Sequence, residues 1–302
     1  MDFDQFTAKI IDALKLRLLQ DGDEAVIRTD KVLKNNGVEL TAINICCDHS
    51  DVCPTVYLEP FYREYEQGMD ISDLAGEILK LHAERNTQRL LSREKVLDES
   101  DVMDNIILRL VNRSKNSKLL QEIPYIEFKD LAITFRRLIC MDADGMATSV
   151  VSMDDMRRWN VNIDVMFRKA LENTERIFPA SCKNVFEALN DRYSFDMPDV
   201  SAESDDDLYV LTNEYGINGA ASILYSGALK KCADIVDDDI YILPSSIHEV
   251  LFIKVHSGHS IDYLKELVSE ANRSVVTPMD YLSDSVYIYY KESGELMEVS
   301  DT

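Results

Sequence analysis

The sequence predicts an α+β fold, with mixed, largely antiparallel sheets and packed helices, on three observations. Apolar residues switch repeatedly between helical and strand spacing, so helices and strands are interleaved along the chain. Neighbouring strand segments are joined by turns too short for a parallel crossover. No strand is followed by a turn of the form G-x-G-x-x-G or G-x-x-x-x-G-K-[ST], which argues against a doubly wound, phosphate-cradling sheet.

Phe3, Phe6, Ile10, Leu14 and Leu18 fall on one stripe, which predicts an amphipathic helix over residues 2–20. Ala25–Leu33 and Val38–Cys47 flank Lys34-Asn35-Asn36-Gly37, where Asn-Gly supplies the positive φ of a tight turn, so the two form a hairpin. Thr55–Leu58 reads as a short strand, and an aromatic set (Tyr57, Phe61, Tyr62, Tyr65) runs from it towards Gly68. Asp70 is placed to cap a helix whose face is Ile71, Leu74, Ile78 and Leu81. Asn105–Val111, Leu131–Met141 and Ala147–Ser152 read as strands, the last two joined at Asp142-Ala143-Asp144-Gly145. A helix carrying Ile163, Phe167, Ala170, Leu171 and Ile177 stops at Pro179. Residues 194–207 (SFDMPDVSAESDDD) lose the apolar pattern and read as an acidic linker or loop. Beyond it come strand Leu208–Thr212, helix Ala220–Val236, strands Ile240–Leu243 and Glu249–Val255, helix Ser260–Asn272 and strand Val286–Tyr290. The expected organisation is an α+β section over 1–193, the linker, and a second α+β section over 208–302. Both sections contain the order helix–strand–strand–helix–strand, but without residue-level similarity, so shared construction is favoured over duplication.

The chain carries 55 acidic and 32 basic residues, a formal charge of −23. Residues 194–302 hold 21 acids and 6 bases, so the acidity is concentrated in the last third. Such a field repels phosphate backbones and anionic bilayers, and neither nucleic acid nor membrane is an expected partner. The opening MDFDQFTAKI has acids where a secretory leader has Lys or Arg, and six cysteines are too sparse for a disulfide scaffold. Free thiols and a cytoplasmic location are therefore expected.

Three stretches in combination, KVLKNNGVELTAI with PTVYLEPFYREYEQG, YVLTNEYGINGAASILY, and DIYILPSSIHEVLFI, are similar to a family of uncharacterised cytoplasmic proteins of anaerobic Gram-positive bacteria. That family is a domain of unknown function. The resemblance covers nearly the whole chain and implies an intracellular α/β protein with no assigned activity, so it supplies no catalytic residue.

Candidate chemistry is sparse. Cys46, Cys47, His49 and Cys53 lack the paired spacing of a zinc site, since adjacent strand residues point to opposite faces. His248 with Glu249 lacks the second His at position 252, where Phe stands, and His248 and His256 would sit about 26 Å apart on one strand. Asp205–Asp207, Asp237–Asp239 and Asp142-x-Asp144 do not follow a calcium-loop pattern. No metal and no cofactor are expected. Pro244-Ser245-Ser246-Ile247-His248-Glu249 lies between two strands, and Ser245, Ser246, His248 and Glu249 form a candidate recognition loop. It is not a self-contained triad, because His248 and Glu249 point oppositely on a strand. The aromatic set Tyr57, Phe61, Tyr62 and Tyr65, with Arg63, is a candidate interface. Arg109, Arg113, Lys115 and Lys118 make a small basic cluster, read as a solvated junction.

The function expected is a non-catalytic protein-interaction or regulatory module with a protein partner. The alternatives are a hydrolase-like enzyme with its site near His248, and an acidic mimic that binds a basic partner protein.

Overall fold

In a computed structural model of the chain, the described residues are 1–21, 25–47, 55–93, 99–142, 145–193 and 208–299. They form two compact units, the first of residues 1–34 and 38–96, the second of residues 35–37 and 97–302. The α+β class is confirmed: helices alternate with three sheets in which every pairing is antiparallel.

The first unit places α1 (Phe3–Asp21), α2 (Glu59–Glu66) and α3 (Ile71–Arg93) on a meander of β1 (Ala25–Leu33), β2 (Glu39–Cys47) and β3 (Thr55–Tyr57). The predicted stripe of α1 is what it buries: Phe6, Ile10, Leu14 and Leu18 meet Ile43, Ile45, Val56, Leu74 and Ile78 in one core. Each such side chain contributes about 1.5–3 kcal/mol, which offsets the entropy of ordering a small unit. Asp70 caps α3 through Ser72 N at 2.7 Å, as its position before the apolar face implies. In the Asn-Gly turn, Asn36 and Gly37 have φ of 60° and 71°. The aromatic stretch after β3 folds as the helix α2.

The second unit holds two sheets. The first is β4 (Ile106–Asn112), β5 (Tyr125–Phe128), β6 (Leu131–Asp142) and β7 (Gly145–Val150), with β6 pairing the other three. The second runs β13 (Leu296–Glu298), β12 (Tyr287–Tyr289), β10 (Ile240–Leu243), β11 (Val250–Lys254), β9 (Tyr209–Asn213), β8 (Ala180–Asn184). Its helices are α4 (Ser117–Leu120), α5 (Met153–Arg158), α6 (Ile163–Ile177), α7 (Val185–Tyr193), α8 (Ala228–Val236) and α9 (Ile261–Ser274). Ile106, Leu108, Leu110, Ile133 and Phe135 on one sheet share a core with Ile240, Ile242, Val250 and Phe252 on the other, joined by Met166 and Ala170 of α6. Helix α6 is keyed to β4 by polar bonds: Asn173 Nδ2 donates to the Ile106 carbonyl at 3.0 Å, and Leu108 N donates to Thr174 Oγ1 at 2.9 Å.

The compact units divide at residues 96–97, and β8 and β9, on either side of residues 194–207, pair in one sheet. Residues 194–207 themselves lie outside the described residues. The helix expected over Ala220–Val236 is a 3-10 turn at Gly219–Leu224 followed by α8, since Gly227 at φ 72° interrupts the helical path. Cys46 is disulfide-bonded, whereas Cys140, Cys182 and Cys232 are the free thiols expected.

Candidate functional site

The recognition loop expected from sequence follows β10 and enters β11, and the fold fixes it from both sides. Leu282 N donates to the Ser245 carbonyl at 2.9 Å and Ile247 N to the Asp280 carbonyl at 2.8 Å, so the loop is stitched to residues 280–282 like a short ladder. Ser245 and Ser246 are buried. Ser246 Oγ accepts from His248 N at 3.1 Å, the local turn-satisfying bond expected of serine there.

Both ring nitrogens of His248 are committed. Asn218 N donates to Nδ1 at 3.3 Å, which leaves the neutral ring's proton on Nε2, 3.2 Å from Asp280 Oδ1. Asp280 Oδ2 in turn accepts from Thr277 Oγ1 at 2.7 Å. The His248 carbonyl accepts from Thr212 Oγ1 at 2.7 Å. Behind this contact Gly219 packs so closely that a Cβ there would lie 2.1 Å from Thr212 Oγ1 and 2.4 Å from the His248 carbonyl. Asp280, Asn218 and Gly219 were not singled out from sequence; they stand 29–32 residues from His248 and no local spacing links them.

Glu249 is not part of that network. It faces an open groove of about 660 Å³ on the second sheet, lined also by Lys183, Thr212, Glu214 and Tyr215. Tyr215 is 52% exposed, and β8 at the groove's border pairs with β9 alone among the described strands. A second, polar cavity of about 530 Å³ is lined by Asn112, Asp130, Lys265, Tyr281, Asp284 and Glu298. Its carboxylates are engaged: Asp130 accepts from the Tyr287 hydroxyl and from Ser283 Oγ, Asp284 from Tyr281 Oη and Asn272 Nδ2, Glu298 from Ser285 Oγ. Burial and the neighbouring Asp130 push the Tyr287 phenol far up, so it stays a hydrogen-bond donor at any physiological pH.

The aromatic candidates belong to the first unit. Tyr62 and Tyr65 stand 5.2 and 5.5 Å from Phe6, Tyr62 meets Phe3 at 5.1 Å, and Phe61 packs on the same core. Tyr57 carries Lys34 Nζ at 4.2 Å from its ring centre. All four rings are half-buried. Of the acidic clusters, Asp237–Asp239 ties the end of α8 to other elements: Lys291 Nζ meets Asp237 at 2.6 Å, Lys291 N donates to Asp239, and His256 N donates to Asp238 at 2.9 Å. Asp205–Asp207, Asp144, His49 and Cys53 lie outside the described residues. Among the described residues, no group of three or more His, Cys, Asp or Glu is placed to hold a metal ion, and no helix is long and apolar enough to cross a membrane.

The basic cluster separates by face. Arg113 pairs with Glu127 at 2.5 Å and Lys115 Nζ sits 3.3 Å from the Tyr281 ring centre, while Arg109 projects from β4 on the side opposite the main core. No curated protein and no solved structure matches the chain. One family does match, over residues 3–291, and the chain belongs to it: the family of unknown function DUF5688.

Proposed function

We propose that this chain is a non-catalytic module that binds a partner protein in the cytoplasm, taking an extended segment of the partner along β8. The observation that carries this reading is the open groove bordered by β8, a sheet edge with no second partner among the described strands, and lined by Lys183, Glu214, Tyr215 and Glu249. A sheet edge offers a row of main-chain donors and acceptors, and a strand added there is held by them while flanking side chains select its sequence. An exposed tyrosine and charges of both signs suit a polar, mixed-charge partner segment. Against an enzyme stands the commitment of both His248 nitrogens to the fold, which leaves no free base beside the buried Ser246.

The test is site-specific photocrosslinking in the native cell. A photoreactive residue replacing Tyr215 or Lys183 is expected to give one discrete heavier adduct, and the same residue replacing the 80%-exposed Val275 none. Equal labelling at all three positions, or no adduct together with turnover in a generic hydrolase screen, overturns the reading.

A further inference from the structure

Residues Ile107, Arg109 and Val111 of β4 share the face opposite the main core with Ala132, Thr134, Arg136 and Leu138 of β6, because Ile107 pairs with Arg136 and Arg109 with Thr134. Ile107, Val111, Ala132, Thr134 and Leu138 are buried, so this face is not a solvated one. Two guanidiniums therefore stand as diagonal neighbours within a largely buried surface. Arg136 Nε donates to Thr148 Oγ1 at 2.8 Å. Arg109 Nε is fully buried and has no hydrogen-bond partner.

That arrangement is costly as it stands. A buried charge without a partner destabilises a fold, and here a second like charge lies beside it. Burial, and then the neighbouring Arg136 charge, pull the Arg109 guanidinium down to about 10, which still leaves it protonated at neutral pH. The carboxylate in electrostatic reach is Asp280, but its oxygens are held by His248 and Thr277, and no ion pair joins it to either arginine. Both arginines retain partial exposure, and of their guanidinium nitrogens only Arg109 Nε is both fully buried and without a partner. Thr148 accepts from Arg136 through its oxygen and keeps its own proton to donate.

We infer that Arg109, Arg136 and Thr148 form a binding site for a phosphate group on a small molecule. Two forked cations match the double negative charge and several oxygens of a phosphate better than the single charge of a carboxylate. A site of this kind supplies short-range attraction that the chain's overall charge of −23 otherwise denies an anion.

Calorimetric titration of the full chain with inorganic phosphate and, separately, glycerol phosphate tests it at fixed ionic strength. Saturable one-to-one binding of at least one of the two is expected, with acetate at least roughly tenfold weaker. Arg109→Met and Arg136→Met are each expected to weaken binding by roughly tenfold or more, the loss of one charge-assisted bond pair. Unfolding of the ligand-free variants, followed by Trp159 fluorescence, is expected at an unchanged or higher urea midpoint, because each removes an unpaired charge. Arg136→Lys keeps the charge without the fork and guards against a Met variant that fails to fold; weakened binding in this variant is expected. No saturable binding of either phosphate, equal binding of acetate, or undiminished binding in Arg136→Lys and the Met variants overturns the inference.

Discussion

Replacing Gly219 by Ala puts the geometry around His248 to a quantitative test. The added Cβ would lie 2.1 Å from Thr212 Oγ1, 2.4 Å from the His248 carbonyl oxygen and 2.8 Å from Asn213 N. Two of these three atoms are backbone, so no flexible side chain can swing away to relieve them. Overpacking of this kind costs about 1–3 kcal/mol. Rotating Thr212 aside would relieve the first contact but break its 2.7 Å bond to the His248 carbonyl, a further ~1 kcal/mol. The expected loss is thus about 3 kcal/mol, which lowers the melting temperature of a unit this size by roughly 6–12 °C. Trp159 is the single tryptophan and packs on the second unit's core, so its fluorescence in a urea titration reports that unit separately from the first. Resolving the unit matters, because two compact units need not unfold in one step. An Ala variant whose Trp159 midpoint matches the parent within about 0.5 kcal/mol would refute the packing drawn here for β9, the 3-10 turn and the His248 loop.

Gly76 offers the opposite sign: in α3 a Cβ meets only the end of the Arg17 side chain, at 3.0 Å, so Gly76→Ala should leave the first unit unchanged or stabilise it by up to about 1 kcal/mol, read by far-UV dichroism. Ser152→Ala removes the capping box of α5, whose C-terminal neighbour is Trp159, and should cost about 1 kcal/mol on the fluorescence transition; a Ser152→Asp variant should recover most of it. Burial pushes the Tyr225 phenol up to about 12 while its hydroxyl donates to the Phe178 carbonyl at 3.1 Å. Because the folded value exceeds the unfolded one, its contribution is complete below the ordinary tyrosine range near 10 and is lost as pH rises towards 12. Stability measured across that window should fall, and Tyr225→Phe should flatten the fall; an unchanged slope would exclude Tyr225 as a source.

What the sequence made legible was whatever a short window encodes. The α1 stripe, the Asn-Gly hairpin, the Asp70 cap and the stop at Pro179 are local, and the fold reproduces all four. The strand pairing that spans residues 194–207 is not local. The loss of apolar residues after 193 resembles a linker, yet β8 is a five-residue strand, Ala-Ser-Cys-Lys-Asn, too polar for its alternation to be noticed, and it carries the second sheet across that stretch. Helix Ala220–Val236 failed for a related reason. Ala221, Tyr225, Leu229 and Cys232 do recur at helical spacing, but periodicity is blind to one glycine held at positive φ.

Arg109 shows where a cue was present and misapplied. Placed by chain distance beside Arg113, Lys115 and Lys118, it reads as part of a solvated basic patch. Placed by strand alternation in Ile-Ile-Leu-Arg-Leu-Val-Asn, it shares a face with Ile107 and Val111, both apolar and both 3% exposed in the fold. Arg113, beyond the strand end, is then free to pair in solvent with Glu127, where such a pair contributes under about 1 kcal/mol. The same residue type thus carries different weight four positions apart. Sorting charges by the face their element presents, before counting neighbours in sequence, separates an arginine that needs a counter-ion from one that water already serves.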